Sequence, residues 1–195
     1  MRKTSVVVLL LLVAALLVWG RERSERRTLI AHDFSTSAQG WLIASDTGVV
    51  EPILEARGGD PGGYISAKDE EGGETWYYRA PPSVLAQLAA AEYGAITYSV
   101  RQSEVEPGFP DDDVVIVGAA GRLSYRFDHA PGTSWTRFSA PLSAAGWHWN
   151  WNMPATQDQM KSVLANPIRL EIRGEYRTGT DVGGLDTFAL VARDD

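Results

Sequence analysis

The stretch IRLEIR, at residues 168–173, decides the fold. Its apolar and charged residues alternate without a break, with Ile168, Leu170 and Ile172 in one set and Arg169, Glu171 and Arg173 in the other. Successive side chains of a β-strand point to opposite faces, so this period of two places one set on each face. A strand with one apolar and one charged face is typical of an antiparallel sheet that covers a core on one side.

The same alternation recurs along the chain, in short segments that clusters of Gly, Pro and Asp separate. It is clear in ITYSVR at residues 96–101 and in RLSYRFD at residues 122–128. Further strands are predicted at residues 41–45, 49–54, 64–67, 75–79, 114–118, 135–142 and 185–192. The run VVIV at residues 114–117 does not alternate, which predicts a central strand that is buried on both faces.

Helix signals are few. Three apolar residues within 84–88 lie at helical spacing after Pro81-Pro82. A second helix is predicted to begin after Thr156, which can form a capping box with Gln159, and to end at Asn166-Pro167. Because no pattern alternates strands with helices, the elements predict an all-β fold, a two-sheet antiparallel β-sandwich (jelly-roll) with one or two short helices.

The first 27 residues have the pattern of a targeting segment. Two basic residues precede an unbroken apolar run at residues 6–19, and more basic residues follow it. This run suits a signal peptide better than a membrane span of about 20 residues, but no small-residue cleavage site closes it. We therefore expect a signal peptide or signal-anchor plus basic linker at residues 1–27, and one domain at residues 28–195. The expected location is extracytoplasmic, whether periplasmic, cell-surface or secreted, although the basic residues after the run leave a cytosolic domain on a membrane tether as an alternative.

The charge of the chain argues against one class of partner. Residues 1–27 hold six of the 18 Lys and Arg and two of the 25 Asp and Glu, so residues 28–195 carry 12 against 23, a net charge of −11. Such acidity opposes nucleic-acid binding and suits a hard cation such as calcium. The chain has no Cys, which excludes disulfides and thiolate metal sites.

Catalytic motifs are missing from the sequence. The three His lie outside any nucleophile elbow, HExxH helix or Gly-rich phosphate loop. Paired acids, such as those at 111–113 and Glu70-Glu71, can in principle serve glycoside hydrolysis. Adjacent acids in loops rich in Gly and Pro are usually solvated turn residues, so we expect no catalytic residue and no enzyme activity.

Several strings, in order along the chain, resemble the laminin B (laminin IV type A) module. They are Phe34 with GW at 40–41, GGYISAKD at 62–69, WYYRAP at 76–81, YSVRQ at 98–102, DDVVIVG at 112–118, PGTSWTRF at 131–138, GW at 146–147, LEIRGEY at 170–176, Gly179 and GLDTFAL at 184–190. The resemblance covers residues 33–192. It implies a non-catalytic jelly-roll similar to the carbohydrate-binding modules of the galactose-binding-like group. A free-standing copy of the module looks more like a bacterial surface or periplasmic protein than a matrix protein.

The resemblance also implies a calcium site. Similar jelly-rolls often hold a structural calcium where the first strand, a Gly-rich loop and the last strand meet. The candidate ligands there are Asp33, Asp60 in the loop at 58–63, and Asp186. Calcium accepts six to eight oxygens, carbonyls included. In the alternative interpretation, the glycines only permit a tight turn, which Asp60 caps.

The segment WHWNWN, at residues 147–152, is the candidate glycan platform. On an extended segment its three indoles face one way. Trp149 and Trp151 would then stack on sugar rings while His148 and Asn150 bind hydroxyls. Trp147 matches the family's GW and is assigned to the core, and in the alternative interpretation all three indoles fill the core.

The sequence thus predicts a non-catalytic, exported binding or adhesion module for a glycan or another extracellular or envelope polymer. It would contact the membrane through its N-terminal segment if that segment is uncleaved. The alternative is a structural envelope domain that binds a protein on a sheet face or edge and does not bind sugar. A buried ion pair is also expected somewhere among Arg101, Asp113, Arg173 and Glu175.

Overall fold

The structure, a computed structural model, describes residues 26–68 and 73–193. Strands make up most of this part of the chain. They are β1 Arg26–His32, β2 Leu42–Ser45, β3 Gly48–Val50, β4 Ile53–Gly59, β5 Gly62–Lys68, β6 Tyr77–Arg79, β7 Ala95–Gln102, β8 Val114–Gly118, β9 Gly121–Tyr125, β10 Thr136–Pro141, β11 Trp147–Trp149, β12 Met153–Pro154, β13 Pro167–Arg173 and β14 Val182–Arg193. The helices are α1 Pro82–Leu85, α2 Gln157–Ala165 and a 3₁₀ turn at Ala89–Ala91.

Two antiparallel sheets form a sandwich, which confirms the predicted fold class. One sheet has the order β10-β7-β14-β5-β4, with β1 also paired to β14. The other has the order β12-β11-β9-β8-β13-β6-β2-β3. The long strand β14 serves two partners on one side, because Val182–Leu185 pair with β5 while Phe188–Arg193 pair with β1.

The alternating pattern sorts side chains between the core and the outer faces. In β13, Leu170 and Ile172 are completely buried, as predicted. Ile168, by contrast, is 64% exposed. The pairing of β13 with β8 shifts register between Pro167 and Arg169, and this irregularity places Ile168 outside the core. On the central strand β8, Val114, Val115 and Ile116 are all buried, which confirms a strand covered on both faces.

Two strand predictions need correction. The segment predicted as one strand at residues 49–54 is two strands, since β3 belongs to the eight-stranded sheet and β4 to the six-stranded one. The chain changes sheets at Glu51-Pro52, where the proline cannot donate a ladder hydrogen bond. Strand β1 was not predicted. Its first two residues lie in the stretch interpreted as a linker, and it pairs antiparallel with the end of β14.

The predicted capping box of α2 is present. The Gln159 backbone N–H donates to Thr156 Oγ1 at 3.3 Å, and the Thr156 N–H donates to Gln159 Oε1 at 2.9 Å. Met160, Val163 and Leu164 of this helix are buried, as its apolar spacing requires.

The described residues contain no helix that is long and apolar enough to cross a membrane. The apolar run at residues 6–19, on which the signal-peptide or anchor prediction rests, lies outside the described residues.

Candidate functional site

A cleft of about 550 Å³ lies on the outer face of the eight-stranded sheet. Its lining includes Tyr77, Phe109, Asp111, Arg122, Trp151 and Glu175. Tyr78 is completely buried in the core, so the neighbouring Tyr77 points to the outer face of β6. Arg122 lies on β9, and β8 and β13 separate β9 from β6.

Arg122 and Trp151 form one wall of the cleft. The Arg122 guanidinium carbon lies 4.9 Å from the centre of the Trp151 ring. Arg122 Nη2 also contacts Asp112 Oδ2 at 2.8 Å, which fixes the direction of the guanidinium. Asn150 ties the turn to β9, because its side-chain Oδ1 accepts from the Arg122 N–H at 3.0 Å and its own N–H donates to the Arg122 carbonyl at 2.9 Å. The exposed Trp151 ring is therefore held at the cleft mouth.

Asp111 links Thr75, which precedes β6, to the loop that precedes β8. Its Oδ2 accepts from Thr75 Oγ1 at 2.5 Å, and its Oδ1 accepts from the Asp112 N–H at 2.7 Å. Burial, together with the charge of Asp111, raises the pKa of Tyr77 well above its ordinary value. The Tyr77 phenol therefore stays protonated and is available as a hydrogen-bond donor in the cleft.

A buried arginine holds the loop that carries Phe109 and Asp111. Arg173 donates from Nε to the Glu175 carbonyl at 2.6 Å and from Nη2 to the Phe109 carbonyl at 2.8 Å. Its Nη1 lies 3.7 Å from Asp113 Oδ1. Burial raises the pKa of Asp113, while the Phe127 N–H and the charge of Arg173 oppose that rise. The contact between Arg173 and Asp113 is the buried ion pair that was expected from the sequence without a position.

The acids at 111–113 are not the solvated turn residues that the sequence suggested. Asp112 receives Arg126 at 3.2 Å in addition to Arg122, and Asp113 is buried. The available signal was their position directly before the buried strand β8, because the next strand, β9, pairs with β8 and carries Arg122. No sequence pattern indicated Tyr77, Phe109 or Arg122 as site residues.

The expectation that Trp147, Trp149 and Trp151 form one row on an extended segment is wrong. Trp147 is buried in the core, as assigned, and Trp149 packs against the core over Gly121. Strand β11 ends at Trp149, and Asn150 and Trp151 take positive φ values of 39° and 88°. The chain therefore turns, and the third indole leaves the row.

His148 pairs with Ser124 and faces outward on β11, away from Trp147 and Trp149. Of the four platform candidates, Trp151 alone lines the cleft. A role in glycan binding for His148, Trp149, Asn150 and Trp151 stays a prediction.

The fold brings the three candidate calcium ligands into one neighbourhood. Asp186 is completely buried, and its carboxylate accepts from the backbone N–H groups of Asp60 and Thr187. Asp60 Oδ2 accepts from Ser99 Oγ at 2.8 Å, and Asp33 Oδ1 accepts from the Ser35 N–H at 3.1 Å. Burial, then the charges of Asp60 and Asp33, raises the pKa of Asp186.

These contacts define what a cation would need at this place. Within residues 26–68 and 73–193, no group of three or more His, Cys, Asp or Glu side chains is arranged to hold a metal ion. Calcium would thus require backbone carbonyls of the Gly-rich loop beside the carboxylates. A buried carboxylate amid two others is suited to a cation electrostatically, and calcium at Asp33, Asp60 and Asp186 remains a prediction.

Comparisons with known proteins agree on family and fold. The family model for laminin B (domain IV) matches residues 77–193, more than half of the chain. The L4b domain of human laminin alpha-2 has a TM-score of 0.66 at 12% identity and covers 86% of this chain and 99% of its own. No curated protein matches the sequence significantly.

Carbohydrate-binding modules share the fold as well. The family 11 module of the cellulosomal cellulase Lic26A-Cel5E of Clostridium thermocellum has a TM-score of 0.54 at 11% identity, and the alignment covers 89% of this chain and 98% of that one. A family 11 module from the same organism, in complex with a β-1,3-1,4-mixed-linked tetrasaccharide, has a TM-score of 0.52 at 12% identity, with 87% and 97% covered.

Proposed function

This chain belongs to the laminin B (domain IV) family, and from that premise we propose that it is a non-catalytic module that binds a neutral glycan in the cleft on its eight-stranded sheet. Both the family and the fold are those of binding modules. The observation that carries the proposal is the composition of the cleft, in which the rings of Tyr77, Phe109 and Trp151 surround polar groups.

This combination suits a sugar chain. The C–H faces of a pyranose ring are apolar and pack on aromatic rings, while its hydroxyls need donors and acceptors. The cleft offers acceptors at Asp111, Glu74 and Glu175 and donors at Arg122 and Tyr77. Three carboxylates against one guanidinium would repel a polyanion, so the expected ligand is uncharged.

A direct binding experiment tests this function. The purified protein is applied to an array of neutral and acidic oligosaccharides, and a β-1,3-1,4-linked tetrasaccharide is titrated by calorimetry. Trp151→Ala should weaken binding of a neutral ligand roughly tenfold, about 1.4 kcal/mol, because it removes a stacking surface. Ile168→Ala removes an apolar side chain of comparable exposure, on β13 and outside the cleft, and should leave binding unchanged.

If no neutral oligosaccharide binds, the proposal is wrong. The surviving function would then be the alternative, an envelope domain whose partner is another protein. The proposed location is extracytoplasmic, which the family supports, and fractionation of cells that express the full chain checks it.

A further inference from the structure

A second pocket, of about 260 Å³, lies on the opposite side of the sandwich, on the outer face of the six-stranded sheet. Its lining includes Tyr64, Arg101, Ser103, Thr133 and Gly184. Ile65 and Val100 are completely buried, so their neighbours Tyr64 and Arg101 project outward from β5 and β7. The volume is below the ~300–1,000 Å³ of ordinary ligand pockets, which limits the occupant to a small group.

Two aromatic rings hold Arg101 in place. Its guanidinium carbon lies 4.6 Å from the centre of the Tyr64 ring and 5.0 Å from that of Trp135. Its Nη2 donates to Tyr64 Oη at 2.6 Å. Trp135 is itself anchored, since its Nε1–H donates to the Gly58 carbonyl at 2.8 Å. The arginine therefore loses little side-chain freedom when it binds a ligand.

Arg101 has no acidic partner among the described residues. Across the described ranges, Arg101 makes no ion pair with an acid within 4.0 Å, and its one side-chain hydrogen bond uses one of five N–H donors. None of the residues that line the pocket is acidic. Asp181, behind Ser103, is buried and accepts from the Ser103 N–H at 3.0 Å. The open donors of Arg101 thus face a pocket without a competing carboxylate.

Glycine at the floor of the pocket lets the two rings sit close to β14. A Cβ at Gly184 would lie 3.1 Å from the Trp135 ring and 3.2 Å from the Tyr64 ring, closer than side chains normally pack. A side chain at this position would displace the rings that contact Arg101. Gly184 therefore helps to hold Arg101 at the pocket.

We propose that this pocket binds an anionic oxygen group, the carboxylate of an acidic sugar, with Arg101 as its ion-pair partner. An arginine fork matches a planar carboxylate, and the half-exposed Trp135 ring offers a surface for the sugar ring that carries it. The site is independent of the cleft on the other sheet, where the carboxylates favour an uncharged ligand.

The test titrates the full chain with glucuronate, glucose, acetate and inorganic sulfate and follows the Trp135 indole N–H signal by NMR. We expect saturable shifts with glucuronate, weaker ones with acetate or sulfate, and none with glucose. Arg101→Gln should weaken glucuronate binding roughly tenfold or more, because it removes the charged hydrogen-bond donor of the pocket. Gly184→Ala, which keeps the charge and displaces the two rings that contact Arg101, should weaken it as well.

Arg193→Gln is the matched control, since Arg193 is an exposed arginine at the far end of β14 in the same sheet and its loss changes the net charge equally. It should leave glucuronate binding intact. The proposal is overturned if Arg101→Gln binds glucuronate as the unaltered protein does, or if acetate or sulfate binds as tightly as glucuronate. Thermal unfolding of each variant verifies that it is folded.

Discussion

At the residue scale, Arg173 connects the interior to the cleft. Its side chain is 4% exposed and it supports the loop of Phe109 and Asp111 by contacts that no other residue type can reproduce together. Arg173→Ala would leave Asp113 buried without its cation, and removal of one partner of a buried pair costs about 3–5 kcal/mol. Urea unfolding should show a loss of this size, with a smaller loss for Arg173→Lys, which keeps the charge but not the fork. Arg126→Ala, which removes an arginine that is 51% exposed, should cost less than about 1 kcal/mol. Equal losses for Arg173→Ala and Arg126→Ala would contradict this account.

Also at the residue scale, protonation of His32 makes the free energy of unfolding depend on pH. Its Nδ1 accepts from Trp41 Nε1–H at 2.7 Å, and burial lowers its pKa below the ordinary value despite the nearby Asp33. Below a pH of about 6.5 the unfolded chain takes up a proton that the folded chain refuses, so this contribution is lost as the pH falls through the folded pKa. Asp113 and Asp186 act in the opposite direction, because burial raises their pKa values. The informative quantity is therefore the difference between the protein and His32→Gln, whose side chain can still accept from Trp41.

The expected result is that the fall in unfolding free energy from pH 7.5 to pH 5 is smaller in His32→Gln than in the unaltered protein. NMR titration of the His32 ring should also give a midpoint below 6.5. A midpoint at or above that value would refute the proposed neutral, buried state of His32.

At the scale of elements, sequence periodicity predicts regular strands and helices, but it does not predict strand ends or register shifts. The alternation of β13 from Leu170 onward, the apolar run of β8 and the capping box of α2 are local patterns, and each describes its element correctly. Strand β11 has three residues and ends in a turn with positive φ, and no period of two can signal where it stops. The register shift that exposes Ile168 is likewise a property of the pairing between β13 and β8.

The same limit applies to the cleft. Tyr77 and Arg122 are distant in sequence. They line the same cleft because β6 and β9 belong to one sheet, in the order β9-β8-β13-β6, and both side chains point to its outer face. Strand order is set by pairing over the whole chain, so a list of individual motifs cannot supply it. The segment at 147–152 was identified as unusual from its composition, yet which of its rings reaches the cleft depends on the turn at Asn150.

At the scale of the whole molecule, β14 relates the two ends of the sandwich. Its first residues follow Thr178, at the cleft, and its last residue, Arg193, pairs with Arg26, where the described chain begins. Twelve residues at ~3.3 Å each extend about 40 Å. The start of β14, which follows Thr178 of the cleft, therefore lies far from Arg26.

The proposed calcium site also belongs to this scale, because it would join the chain after β1, the loop between β4 and β5, and strand β14. A cation there would offset the repulsion among Asp33, Asp60 and Asp186, and any ligand that binds the folded state alone raises its stability by mass action. The melting temperature should therefore be higher in millimolar calcium than in excess chelator, by an amount that grows with calcium concentration. Asp60→Asn should reduce the difference, whereas Asp158→Asn, an acid in the first turn of α2, should retain it. Equal melting temperatures in calcium and chelator would remove calcium from the account and leave the Gly-rich loop as a tight turn in which Asp60 is bound by Ser99 and Arg137.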